Sequence, residues 1–200
     1  MSAKGKIVML AALLPLAFWS NAATAAPNQM SVAGRTTQPV GHYEFCLREP
    51  GECSQRSART APVELTRKLW AAMVDVNNAV NTMVEPRTDS EMWGREELWS
   101  YPTSVGDCED YVLEKRRLLM GLGVSSANLL ITVVRQPNGD GHAVLTVRTS
   151  LGDYILDNLE PRVLVWTDTD YTYLKRQSSE NSGAWVAISD GRSMAVGSVR

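Results

Sequence analysis

The sequence predicts an α+β domain in which a helix packs on an antiparallel sheet. Three observations carry this. Leu65, Leu69, Met73, Val76, Val80 and Met83 recur at spacings of three and four, the pattern of an amphipathic helix. A second helical stretch opens at Asp107, runs to about Met120 and is stopped by Gly121 and Gly123. Beyond it, short β-branched or alternating runs follow one another between turn residues.

Residues 1–25 stand apart from that fold. Lys4 and Lys6 precede an apolar run from Ile7 to Trp19, and small residues fill Ser20 to Ala26. A basic start, a short apolar run and an A-x-A site describe a secretory signal peptide. Cleavage is expected after Ala25, which places the mature chain in the periplasm. The run is shorter than the roughly 20 residues that a bilayer span requires. Without Lys4 and Lys6, 18 of the 20 basic residues remain against 22 acidic ones, a balance near −4. That charge excludes an electrostatic platform for nucleic acid. A composition 44% hydrophobic and 21% charged excludes a disordered chain.

Residues 26–40, rich in Gly, Thr, Pro and Gln, read as a flexible arm, and a single domain is expected over 41–200. Residues 41–60 form a polar loop region. Within it, Cys46 and Cys53 flank the turn Pro50-Gly51 and are expected to pair, since export permits disulfides. That pairing leaves Cys108 as the odd thiol, a flag for reactivity. Pro62 suits the first turn of the first helix, and Pro86 lies beyond its end. Residues 87–105 are mixed. Strands are expected over 129–135, 142–148 and 154–159, with a fourth over 163–166 and a last over 184–188; 167–183 read as polar loop. Trp93 and Trp166 read as core, and His42 as a surface residue. Trp99 reads as core, with a wall of a cleft as the alternative.

Three residues carry candidate chemistry. Cys108 follows Gly106-Asp107 at a helix start, where free N–H groups and the helix dipole favour a thiolate. Asp107 fits the N-cap, and Asp110 is placed to reach back to it. His142 begins a strand, and Asp157 ends the next. A two-residue loop at 149–150 sets His142 opposite Asp157, and a four-residue loop at 149–152 makes them diagonal neighbours on one face. An odd loop separates them, because side chains alternate. A touching carboxylate would fix the imidazole tautomer, as the third member of a triad does. Singly, each residue also has an ordinary reading: a structural thiol, a surface histidine, a turn pair in Asp157-Asn158.

The segment Gly106-Asp-Cys-Glu-Asp-Tyr111 resembles the nucleophile motif of the bacterial transglutaminase-like cysteine proteinases, whose best-known members are periplasmic proteases of the LapG type. Gly141-His-Ala-Val144 and Tyr154-Ile-Leu-Asp-Asn158 resemble that family's His and Asp segments, in the same order. The resemblance implies a papain-like, transglutaminase-style fold. It further implies Cys108 as nucleophile, His142 as general base and then acid, and Asp157 as orienting carboxylate, in acyl transfer through a thioester. It implies a calcium ion held by Asp107, Glu109 and Asp110, whose oxygens are suitable hard ligands. It implies a cell-surface adhesin as substrate and an inner-membrane cyclic di-GMP receptor as inhibitor. Two other readings stay open at this level: an amine in place of water as acyl acceptor, and a non-catalytic binding module.

Overall fold

The computed structural model describes residues 28–58 and 60–189; the expected signal peptide lies outside them. In chain order the elements are β1 (Val32–Thr36), α1 (Val40–Arg48), α2 (Pro50–Cys53), α3 (Arg67–Met83), β2 (Glu85–Pro86), α4 (Asp89–Trp93), β3 (Val105–Gly106) and α5 (Cys108–Gly121). They continue with β4 (Leu129–Arg135), β5 (Gly141–Thr149), β6 (Gly152–Leu156), β7 (Leu164–Val165), β8 (Thr172–Ser178) and β9 (Asn181–Ile188). Seven strands form an antiparallel sheet in the order β1-β9-β8-β4-β5-β6-β7. β2 and β3 pair separately, in parallel.

Alternation along the strands divides the core. Leu129, Ile131, Ala143, Leu145, Val147 and Leu156 pack with α3 and α5 through Leu69, Met73, Val76, Val80, Tyr111, Val112 and Leu119. Val134, Val144 and Ile155 point the other way, onto Met30, Trp166, Tyr173 and Ile188. The expected layer arrangement, helices on one face of an antiparallel sheet, is what the chain adopts. α3 begins later than Pro62: Thr66 is the N-cap and its hydroxyl accepts from the Leu69 N–H.

The stretch from β1 to α2 and the last strands differ from expectation. Residues 32–36, read as flexible arm, are an edge strand on β9. Most of its side chains are exposed, so no apolar period marks it. The region read as polar loop forms α1 and α2, because the buried face of α1 is carried by Gly41, His42 and Phe45. A Cβ on Gly41 would collide with the Trp99 ring, so glycine lets α1 close onto that tryptophan. Residues 172–178, also read as loop, are β8. Polar Arg176 and Gln177 are buried there, Arg176 paired to Asp153 at 3.1 Å, and they hide the strand's period.

His42 is a further correction. Its ring is 1% exposed and lies edge-on against Trp99 and Trp185. Trp93, expected in the core, is exposed at the end of α4, whereas Trp99 and Trp166 are buried. Cys46 and Cys53 form the expected disulfide, which ties α1 to α2, and Cys108 is free. Among the described residues no helix is long and apolar enough to cross a membrane.

Candidate active site

α5 carries Cys108 as its first residue, and packing of α5 on β5 brings that end to the start of the strand. Asp107 occupies the N-cap position, but its side chain makes no capping bond. The Cys108 thiol donates to Glu109 Oε2 at 3.0 Å, and the backbone N–H of Ala143 points to the sulfur. The thiol therefore lies against the residue that follows His142. Its acidity runs opposite to the expected helix-start effect. Burial pushes the thiol well above its ordinary value and the Glu109 carboxylate adds to this; the Ala143 N–H opposes both.

β5 carries His142, and Asp157 directly follows β6. Thr149 pairs with Gly152 and Leu145 with Leu156. This is the diagonal register of the four-residue alternative. It places His142 Nε2 2.8 Å from Asp157 Oδ1, with both side chains buried. Asp157 Oδ1 also accepts from the Leu159 N–H at 2.9 Å, and Oδ2 from the Tyr171 hydroxyl at 2.6 Å. Burial alone would raise the Asp157 pKa. The His142 hydrogen bond and charge, with the Leu159 and Tyr171 donors, more than offset it and hold the carboxyl below its ordinary value. Because Nε2 faces the carboxylate, it carries the hydrogen, and Nδ1 is left as the basic nitrogen.

A cluster of carboxyl groups stands beside the thiol. One oxygen from each of Asp89, Asp107 and Glu109 falls within 4.8 Å of the others. Asp110 does not join them. Its Oδ1 accepts the Ser100 N–H at 2.7 Å, and its side chain packs over Gly106. Asp89 takes that place, brought in from the first turn of α4, where Thr88 and Glu91 form a capping box. Asp89 was not visible in the sequence as a site residue, since eighteen positions and a change of element separate it from Asp107.

The cluster is electrostatically strained. Burial, and then repulsion from Asp89, raises Asp107 to about 6. Burial, and then repulsion from Asp107, raises Glu109 to about 9. One buried oxygen each on Asp89 and Asp107 has no hydrogen-bond partner. Three carboxylates with spare lone pairs suit a hard divalent cation such as calcium.

Most of the chain matches a described family. The family model of the bacterial transglutaminase-like cysteine proteinases (BTLCP) matches residues 32–193. Among solved structures, calcium-bound LapG of Legionella pneumophila is similar, with a TM-score of 0.52 and 26% identity over 60% of this chain and 69% of that one. EGTA-treated LapG of the same organism gives a TM-score of 0.51 and 28% identity, over 60% and 67%. No curated protein gives a significant match.

Proposed function

The chain belongs to the bacterial transglutaminase-like cysteine proteinases, and from that premise we propose that it is an exported endopeptidase whose nucleophile is Cys108, with His142 and Asp157 as its partners. Family membership makes it a thiol protease. The observation that carries the residue assignment is the buried 2.8 Å bond between His142 and Asp157, beside the strand residue whose N–H meets the Cys108 sulfur.

The chemistry follows from those positions. His142 Nδ1 takes the proton of the thiol as sulfur attacks a peptide carbonyl carbon. It returns that proton to the leaving amine as the C–N bond breaks, leaving a thioester on Cys108. His142 then takes a proton from water, the hydroxide attacks the thioester, and the carboxylic acid leaves as the thiol is restored. Asp157 holds the ring and stabilises the imidazolium.

Asp89, Asp107 and Glu109 are the residues that would hold a calcium ion in this reading. The fit of their oxygens and the calcium-bound form of a similar protein support it. When bound, the ion supplies positive charge that offsets the carboxylates repelling the sulfur anion. The leader-like segment at residues 1–25 and the Cys46–Cys53 disulfide support a periplasmic address. The resemblance extends the reading to a surface adhesin as substrate and an inner-membrane cyclic di-GMP receptor as inhibitor.

Alkylation tests the assignment without a known substrate. Iodoacetamide in the presence of calcium, read by mass spectrometry at pH 6, should label Cys108 far faster than a free-cysteine peptide, and His142→Ala should abolish the advantage. Labelling at the peptide rate would remove Cys108 as an activated nucleophile.

A further inference from the structure

Beside Asp157 lies a cavity of about 260 Å³ that the chemistry above does not use. Asp157 and Tyr171, joined by their 2.6 Å hydrogen bond, form part of its wall. The Tyr171 ring in turn stands edge-on to the His142 ring, with centroids 5.6 Å apart. The cavity therefore begins where the His142–Asp157 pair ends. Among the described residues none from α5 lines it, so it lies on the histidine side of the site and not on the sulfur side.

Hydrocarbon and carboxylates line it together. Pro137, Ile155, Leu159 and Leu164 supply the apolar surface, and Leu159 is exposed. Glu160, Asp168 and Asp170 supply the carboxylates. Arg162 answers Glu160 at 2.8 Å. Among the described residues no ion pair answers Asp168 or Asp170, both of them exposed, so the lining carries negative charge in excess. The frame is held from two sides. Asn81 Nδ2 donates to the Asp157 carbonyl at 2.8 Å, and Asn77 Nδ2 to the carbonyls of Glu160 and Pro161 at 3.4 and 3.1 Å, which fastens one wall to α3. Thr169 Oγ1 donates to the Trp166 carbonyl at 2.8 Å and meets the Tyr173 hydroxyl at 3.0 Å, which holds the turn that carries Asp168 and Asp170. A cavity formed in advance binds without having to order its own loops.

We propose that this cavity is a specificity subsite that takes a lysine or arginine side chain of the substrate, on the C-terminal side of the bond that is cut. The proposal rests on reading Cys108, His142 and Asp157 as the catalytic set. A long basic side chain matches both surfaces. Its methylene stem lies along Leu159 and Leu164, and its charged head reaches Asp168 and Asp170. An acidic side chain would meet like charge there, and a purely aliphatic one would leave the excess charge unanswered. The direction follows from the reaction. His142 gives its proton to the leaving amine, so the departing segment lies on the imidazole's side of the sulfur. The cavity lies beyond that imidazole, at Tyr171.

The test is cleavage of a proteome-derived peptide library, prepared so as to keep internal lysine and arginine. The mature chain acts on it with calcium, the products are sequenced by mass spectrometry, and Cys108→Ala serves as the blank. Lysine and arginine should be enriched about fivefold over neutral residues at one fixed position C-terminal to the cut. Asp168→Asn combined with Asp170→Asn should abolish that enrichment. Asp168→Lys combined with Asp170→Lys should replace it with enrichment of aspartate and glutamate at the same position. Should the lysine pair lower the melting temperature, the asparagine pair decides. Cleavage with no basic preference on the C-terminal side, or a preference that survives the asparagine pair, would overturn the subsite alone. Products identical for the parent and Cys108→Ala would refute the endopeptidase reading, and this proposal with it.

Discussion

His142 on β5 and Asp157, the residue directly after the adjacent β6, stand one diagonal step apart, and their side chains meet at 2.8 Å in a place closed to solvent. Removing the carboxylate while keeping its shape leaves the ring free to take the wrong tautomer. Asp157→Asn should therefore lower turnover by about ten-thousandfold while the circular dichroism spectrum stays native. Steady-state kinetics on any cleaved peptide would check it, and an unchanged kcat would remove Asp157 from the mechanism.

Tyr171 offers a milder version of the same test. Its hydroxyl is one of the donors that keep Asp157 ionised. Tyr171→Phe removes one hydrogen bond to a charged group, worth about 1.5–3 kcal/mol. Turnover should fall by about tenfold, with KM little changed. A variant as active as the parent would show that the His142 and Leu159 contacts suffice.

The carboxyl cluster predicts a calcium response. Stripping the protein with EGTA should lower its melting temperature and its alkylation rate at Cys108, and calcium should restore both while magnesium does not. Calcium accepts a variable number of oxygen ligands, whereas magnesium demands near-ideal octahedral geometry and gives up its water reluctantly. Asp89→Asn should weaken the response, whereas Asp110→Asn should spare it, because Asp110 is bonded to Ser100. Equal loss in both variants would place Asp110 in the ligand set.

His42 predicts an acid limit that does not involve the active site. Burial, and then the Arg116 charge, lowers its pKa to about 4 from an ordinary 6.5. Above pH 6.5 the ring is neutral in both the folded and unfolded chain, and the full stability is present. As pH falls from 6.5 toward 4 only the unfolded chain takes up the proton, so stability is lost at about 1.4 kcal/mol per pH unit, about 3 kcal/mol in all. Urea unfolding at several pH values should show that slope as the difference between the parent and His42→Phe, because the carboxyls that burial raises, such as Glu109, titrate alike in both.

The fold and the site were legible to different depths. The α5 start, β5 and β6 carry strong local signals: a glycine-punctuated helix, a turn-flanked strand, an even loop. Those signals predicted that His142 and Asp157 could meet, as they do at 2.8 Å, and they pointed to Cys108 as the candidate nucleophile. Asp89 and Tyr171 were invisible because each is brought to its partners through tertiary packing from a segment whose own pattern says nothing about them. His42 was misjudged for a related reason. A polar residue on the buried face of α1 is accommodated by the nearby disulfide and by Trp185 and Gln177, the last two from strands far along the chain. The thiol's expected acidity failed because it considered the helix dipole and not burial beside Glu109.

The most direct test of the central claim is a comparison of new protein N-termini. Periplasmic and outer-membrane extract would be incubated, with calcium, with the mature chain or with Cys108→Ala, and the termini tagged and sequenced by mass spectrometry. The account predicts at least one cleavage present with the parent and absent with Cys108→Ala and with EGTA. An identical set of termini from parent and Cys108→Ala would contradict it.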